Sequence, residues 1–313
     1  MNNKMESFKD FIQKTVIPFA DQFPIQFVKG KKDCQIAYRH FYHSEQGKEL
    51  IILVNGRGEN LLKWSEMAFD CYQQGYDVVV LDHRGQGYSG RLLKDREKGH
   101  LDEFSYYVED LDSVLKTVSK KGKYQYQYLI GHSTGCLISA YYLANYDHHI
   151  TRAVLSSPFW GVPTKQPIRD QLLINLFMIF GRGARYLLGK GGYTPINIEQ
   201  NALSRSKKRM QWMNDIYQEN PQLALGGPTF RWIHLCWQAI YHLKNILPRI
   251  EVPILVLAAG KEKIVNNQNL DNFIKLLSQG EKVVIPDARH EILFEQDSVR
   301  DEALKQIFDF LNA

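Results

Sequence analysis

The sequence predicts an α/β protein: a mostly parallel sheet with helices on both faces and a helical insert between two late strands. Three observations carry this expectation. Short apolar or period-two runs alternate with helical patterns along most of the 313 residues. The junction between one such run (126–130) and the helical pattern after it is pinched by Gly131-His132-Ser133-Thr134-Gly135. From Trp160 to about Pro248 no convincing strand is found, and the strand rhythm resumes at Pro253.

In chain order, residues 1–22 read as an N-terminal helical segment. Residues 26–28 and 34–42 read as an antiparallel hairpin at the sheet edge, turned at Gly30-Lys31-Lys32-Asp33. Strands rich in Val, Ile and Leu, buried on both faces, fit 50–54, 77–81, 126–130, 153–157, 253–257 and 282–285. Helical spacing fits 64–74, 104–119, 134–146, 267–277 and 298–311. The core is then 23–159 with 251–313, and 160–250 is an insert that follows the Gly-x-Ser-x-Gly turn and reads as a helical cap over it.

A hydrophobic share of 44% with 23% charged residues belongs to a soluble globular chain long enough for a large core. The opening Met1–Asp10 lacks the apolar stretch of a secretory signal, and no window approaches 18 apolar residues. A cytoplasmic location, with no membrane span, is expected. The four cysteines, 34, 71, 136 and 236, lie far apart without a C-x-x-C pair, and His148-His149 has no ligand-spaced neighbour. Neither a disulfide scaffold nor a metal site is expected, and nothing calls for a cofactor. The charge is unevenly spread. The insert carries 12 Lys and Arg against 4 Asp and Glu, while the rest of the chain has 27 against 30.

Gly-x-Ser-x-Gly between strand and helix is a nucleophile elbow in its required context. A serine hydroxyl is a weak nucleophile and needs a base in reach, which in turn needs an orienting acid. Ser133 is the candidate nucleophile. His290, just past the last strand, is the candidate base, since no other histidine follows a late strand. His83 and His132 stand earlier in the chain, and His132 reads as a packing residue directed away from Ser133. For the acid, Glu262 is the only carboxylate in the loop 258–266, and it is favoured over Asp287, which lies on the histidine's own loop. An oxyanion hole needs two aimed N–H groups. Thr134 supplies one, and Arg57, between Gly56 and Gly58, supplies the other. The turn Asp82 to Gly90 reads as structural, with Arg84 bracing carboxylates.

Several stretches together resemble a known group. They are the elbow, Asn55-Gly56-Arg57-Gly58-Glu59, the Asp82 to Gly90 turn, Gly99-His100-Leu101 with Tyr107-Val108-Glu109-Asp110, and Arg289-His290-Glu291-Ile292-Leu293. They look like the lysophospholipase and monoacylglycerol lipase branch of the α/β-hydrolases. Residues 87–93, Asn220-Pro221-Gln222-Leu223 and Gly226-Gly227-Pro228-Thr229-Phe230 are similar to the bacterial inner-membrane-associated lysophospholipases in particular. The resemblance covers nearly all the chain past Phe23. It implies an α/β-hydrolase fold, cleavage of the single acyl ester of a lysophospholipid or monoacylglycerol, and the triad Ser133, Glu262 and His290. Two departures stand out: Asn55 takes the place of the branch's usual His, and Glu262 that of its usual Asp.

The residues themselves point weakly to lipid as well. The run 172–180 flanked by Arg169, Arg182 and Arg185 could rest on an anionic bilayer. Arg205, Lys207, Lys208 and Arg209 form a candidate phosphate-headgroup cluster. A nucleic-acid partner is not expected, because no groove-reading motif accompanies the basic excess. The alternatives are acyl transfer through the same acyl-enzyme, a carboxylesterase for small esters, or a fold that kept its shape and lost its chemistry.

Overall fold

The computed structural model describes residues 7–43, 49–121 and 124–313. The first six residues of the N-terminal segment lie outside the described residues. The rest of it folds as α1 (Phe8–Phe11), a wide turn over Ile12–Val16 and α2 (Ile17–Asp21). Pro18, in the first turn of α2, has no N–H to donate to the turn before it.

The sheet then begins with β1 (Gln26–Lys29), β2 (Gln35–Phe41) and β3 (Glu49–Val54). After α3 (Ser65–Gln73) come β4 (Asp77–Leu81), α4 (Ser105–Lys121), β5 (Tyr126–His132), α5 (Thr134–Asn145) and β6 (Ile150–Ser156). Between β6 and the next strand lie α6 (Pro167–Ile179), α7 (Lys207–Glu219) and α8 (Phe230–Ile246). The chain closes with β7 (Ile254–Ala259), α9 (Leu270–Ile274), β8 (Gly280–Ile285) and α10 (Asp297–Asn312).

Strand order is β1-β2-β4-β3-β5-β6-β7-β8. The first two strands are antiparallel to their neighbours, and the remaining pairs are parallel. Alternation along each strand divides the core into two layers. Leu50, Ile52 and Val54 of β3 face one layer with α4 and α5, whereas Ile51 and Leu53 face the other with α3 and α10. Val79 and Leu81 against Val78 and Val80 divide β4 in the same way. Because the inner strands are parallel, their C-terminal ends at Val54, Leu81, His132, Ser156 and Ala259 converge on one edge, where sites in open α/β sheets form.

The helices differ from expectation in two places. The helix expected over 267–277 shrinks to Leu270–Ile274, because Asn266 Oδ1 takes the Gln268 N–H in a turn of its own. The insert is helical only in part. Residues 180–206 wind irregularly, with Gly181 and Gly189 at positive φ breaking the helical path.

Candidate active site

Ser133 sits between the end of β5 and the start of α5 at φ 51°, ψ −115°, a strained conformation for a residue with a side chain. Of its flanking glycines, Gly135 leaves no choice of residue and Gly131 is tightly confined. A Cβ on Gly135 would lie 2.0 Å from the Val54 carbonyl oxygen, and one on Gly131 would meet the Cys136 backbone at 3.2 Å. The elbow is therefore wedged against β3, and the nucleophile is held clear of the sheet.

His290 Nε2 stands 2.9 Å from Ser133 Oγ, and His290 Nδ1 stands 2.8 Å from Glu262 Oε2. These partners assign the proton to Nδ1 and leave the Nε2 lone pair facing the hydroxyl. The other carboxylate oxygen of Glu262 accepts the N–H groups of Lys263 at 2.8 Å and Ile264 at 2.7 Å. Burial works to raise the Glu262 pKa, but the bonds to His290 and to its own loop outweigh it and hold the carboxyl below its usual value. Asp287 is exposed and turned to Lys261 at 2.6 Å and Arg205 at 3.6 Å. The structure thus brings Ser133, His290 and Glu262 together and leaves Asp287 outside.

Thr134 opens α5, so its N–H belongs to the first turn that no helical carbonyl serves. Arg57 lies in the loop after β3, with amides taken on either side: Gly56 N–H donates to Glu59 Oε2, and Gly58 N–H to Gln86 Oε1 at 3.3 Å. Gln86 Nε2 donates to the Gly56 carbonyl at 2.9 Å, so the Asp82 to Gly90 turn buttresses this loop. Arg84 grips Asp110 through two bonds of 2.6 and 2.7 Å.

Beneath the triad lies an ionic network that sequence reading missed. Lys63, 1% exposed, bridges Glu59 and Glu291. Burial would raise the Glu59 carboxyl, but Lys63 and His132 overturn that and hold it at about 2. Burial, with the Glu59 charge adding to it, raises Glu291 against the pull of Lys63. His132 packs beside this network and not away from the site: its ring centre is 5.0 Å from that of His290, and burial lowers its pKa to about 3, so it is neutral. Glu59, His132 and Glu291 are spaced as metal ligands would be, and the Lys63 ammonium supplies the positive charge between the two carboxylates. The signal available in sequence was the Glu59–Lys63 spacing of four and a carboxylate directly after His290.

The expected headgroup cluster does not form. Arg209 is buried against Glu66 and Asp297, Lys208 pairs with Asp297, Lys207 with Glu199, and Arg205 with Asp287. None of the four lines the cavity over Ser133. Three of the four are neutralised by carboxylates distant in sequence, which spacing alone could not reveal, and Lys207 by Glu199 eight residues before it.

That cavity, of about 650 Å³, runs from Ser133 and His290 up between the core and the insert. Phe159, Leu173, Ile174, Trp232, Ile233 and Trp237 give it a mostly apolar wall, and Arg57, Arg169 and Lys190 contribute cations. Helix α6 presents Leu173 and Ile174 to this cavity, and on its other side Ile168, Leu172, Leu176, Ile179 and Phe180 are exposed, Ile168 and Ile179 by 77% and 80%.

Comparison with known proteins places this arrangement. A family model for serine aminopeptidase, S33, matches residues 45–297. The chain is 52% identical to the probable lysophospholipase L2 of Haemophilus influenzae, over 97% of each chain. It is 30% identical to the lysophospholipase L2 of Escherichia coli, over 93% of this chain and 85% of that one. A crystal structure of a soluble variant of the monoglyceride lipase from Saccharomyces cerevisiae superposes with TM-score 0.72 at 18% identity, covering 93% of this chain and 96% of that one. It shares the fold.

Proposed function

The chain belongs to the serine aminopeptidase S33 family of α/β-hydrolases, in the branch that holds the bacterial lysophospholipases, and on that premise we propose that it cleaves the acyl ester of a lysophospholipid or monoacylglycerol through an acyl-enzyme on Ser133. As the substrate carbonyl approaches, His290 Nε2 takes the Ser133 proton and Oγ attacks the carbonyl carbon. Glu262 holds the imidazole in its tautomer and stabilises the imidazolium. The oxyanion is received by the N–H groups of Thr134 and Arg57, aided by the N-terminal dipole of α5. His290 then protonates the glycerol oxygen that leaves, and a water activated by the same nitrogen releases the fatty acid.

The observation that carries this reading is the unbroken path from the 2.9 Å Ser133–His290 contact into a mostly apolar cavity of about 650 Å³. An acyl chain fits such a wall, and residues 160–250 act as the cap that builds it. The outward face of α6 is read as the part of the cap that meets the membrane: a stripe of exposed Ile, Leu and Phe, with exposed Lys165, Arg169, Arg182 and Arg185 around it, suits the surface of an anionic bilayer. Among the described residues no helix is long and apolar enough to cross a membrane.

The family model's name raises peptide hydrolysis as a second reading, which would need a free carboxylate for the substrate's amino group. The carboxylates lining this cavity are engaged: Glu59 and Glu291 by Lys63, and Asp170 by Thr164 and Arg169. The reading is tested by turnover on lysophosphatidylethanolamine, monoacylglycerol, short p-nitrophenyl esters and aminoacyl anilides. Turnover of the two lipids is expected to exceed that of the anilides by orders of magnitude. Preference for an anilide would refute the lipid reading.

A further inference from the structure

The buried cations of this protein mostly come with carboxylates. Lys63 has Glu59 and Glu291, Arg84 has Asp110, Arg209 has Glu66, and Arg300 has Asp70. Arg57 has none among the described residues, although it lines the cavity within a residue's reach of the nucleophile. Its guanidinium is built in firmly. Nη2 donates to the Gly226 carbonyl, Cζ stands 5.3 Å from the centre of the Trp232 ring, and Gly99 has no side chain where the guanidinium lies, since a Cβ there would come 2.3 Å from Nη2. Nε is shut off from solvent and has no hydrogen-bond partner. The ionisable groups acting on it most are the phenols of Tyr107, Tyr186 and Tyr217 and the Cys236 thiol, and burial, not fully offset by them, lowers its pKa from the usual arginine value. Arg57 as a residue is half-buried at the cavity wall, and a cation placed there without an anion is costly, so the missing anion is the informative part.

We propose that the Arg57 guanidinium receives the phosphate of a lysophospholipid and makes the enzyme prefer phosphate-bearing substrates over neutral monoacylglycerols. The inference rests on the ester-hydrolase reading above and narrows its substrate class. Three observations support it. The backbone of Gly56 lies against Ser133, with its Cβ position 3.2 Å from the Ser133 Cβ, so Arg57 follows immediately from the reacting centre. In a lysophospholipid only the glycerol backbone separates the scissile ester from phosphorus, which places the phosphate within an arginine side chain of Ser133. A second cation, the exposed Lys190, borders the same Gly226-Gly227 turn at the cavity rim and has no carboxylate partner among the described residues. A planar guanidinium is the side chain best matched to a phosphate oxygen pair.

The test compares kcat/KM for lysophosphatidylethanolamine and for monoacylglycerol of the same acyl chain, in wild type, Arg57→Met and Arg57→Lys. The lysophospholipid-to-monoacylglycerol ratio is expected to fall by about tenfold or more in Arg57→Met, as a site loses discrimination when its polar contact is removed, and to recover in part in Arg57→Lys. In wild type, glycerol 3-phosphate is expected to compete with p-nitrophenyl butyrate where glycerol at equal concentration does not. A ratio in Arg57→Met within about twofold of wild type overturns the proposal even where glycerol 3-phosphate inhibits, because the site would then hold free phosphate and not the substrate's. Should Arg57→Met fail to fold, the wild-type competition decides, and inhibition by glycerol equal to that by glycerol 3-phosphate overturns the proposal. If wild type turns over p-nitrophenyl butyrate but neither lipid, the lipid reading fails, while the competition experiment still reports whether the cavity holds a phosphate beside Arg57.

Discussion

Lys63→Met removes the positive centre of the network under the triad and keeps a stem of similar length. The side chains of Lys63, Glu59 and Glu291 are 2%, 3% and 5% exposed, so the two carboxylates cannot turn to water. Breaking a buried pair by deleting one partner costs about 3–5 kcal/mol, and here two carboxylates are orphaned at once, which puts the expected loss near 4 kcal/mol or above. For a chain of this size that is a fall in Tm of roughly 10 °C. The loss should depend on pH. In wild type Glu59 stays ionised to about 2, below its ordinary 4.5, so it contributes stability above that ordinary value which is lost as pH falls toward 2. In the variant burial acts unopposed by Lys63 and raises both carboxyls above their ordinary values. The penalty is then full at alkaline pH and shrinks as pH falls through the raised values and a proton is taken up. Urea melts at pH 8.5 and pH 5.5, run on both proteins, read this directly. A variant within about 1 kcal/mol of wild type at pH 8.5, or a loss equal at the two pH values, would refute the argument that Lys63 holds two buried charges.

Two further outcomes follow from the site and the cap. Glu262→Gln should lower kcat by about four orders of magnitude, the usual effect of losing the acid that sets the histidine tautomer, with Glu262→Asp partly active. Asp287→Asn should stay close to wild type in the same ester assay, since Asp287 is exposed and contacts Lys261 and Arg205; a crippled Asp287→Asn with an active Glu262→Gln would reverse the assignment. Replacing Leu172 and Ile179 together by Ser should weaken binding to phosphatidylglycerol vesicles by roughly tenfold or more, each buried methylene being worth about 0.8 kcal/mol at the bilayer. Sedimentation with vesicles checks this, and undiminished binding would remove α6 from the membrane contact.

Much of the site was legible because local chemistry dictated it. Gly135 is required by its contact with the backbone of Val54 and Gly131 is tightly confined by that of Cys136, so the elbow could be read from five residues. The strands could be read because β3, β4 and β7 are buried on both faces and are therefore almost wholly apolar. Glu262 was legible as the only carboxylate of its loop. What escaped was set by residues far apart in the chain. Lys63 meets Glu291 across 228 positions, and Arg209 meets Glu66 across 143, so a basic cluster that looked available for a headgroup is already paired. Arg57 was read for its backbone alone. Its side chain acquires meaning only once Gly99, Gly226 and Trp232 are folded around it.

The central claim is that Ser133, activated by His290, forms the acyl-enzyme, and labelling with a fluorophosphonate tests it most directly. Wild type should gain one phosphonyl group by intact mass, mapped to the peptide that carries Ser133, and lose esterase activity in step with labelling. Ser133→Ala should take up no label and retain almost no turnover while melting as wild type does, because among the described residues Oγ makes its only side-chain hydrogen bond to His290. Labelling at another residue, or esterase activity in Ser133→Ala within about tenfold of wild type, would contradict the account.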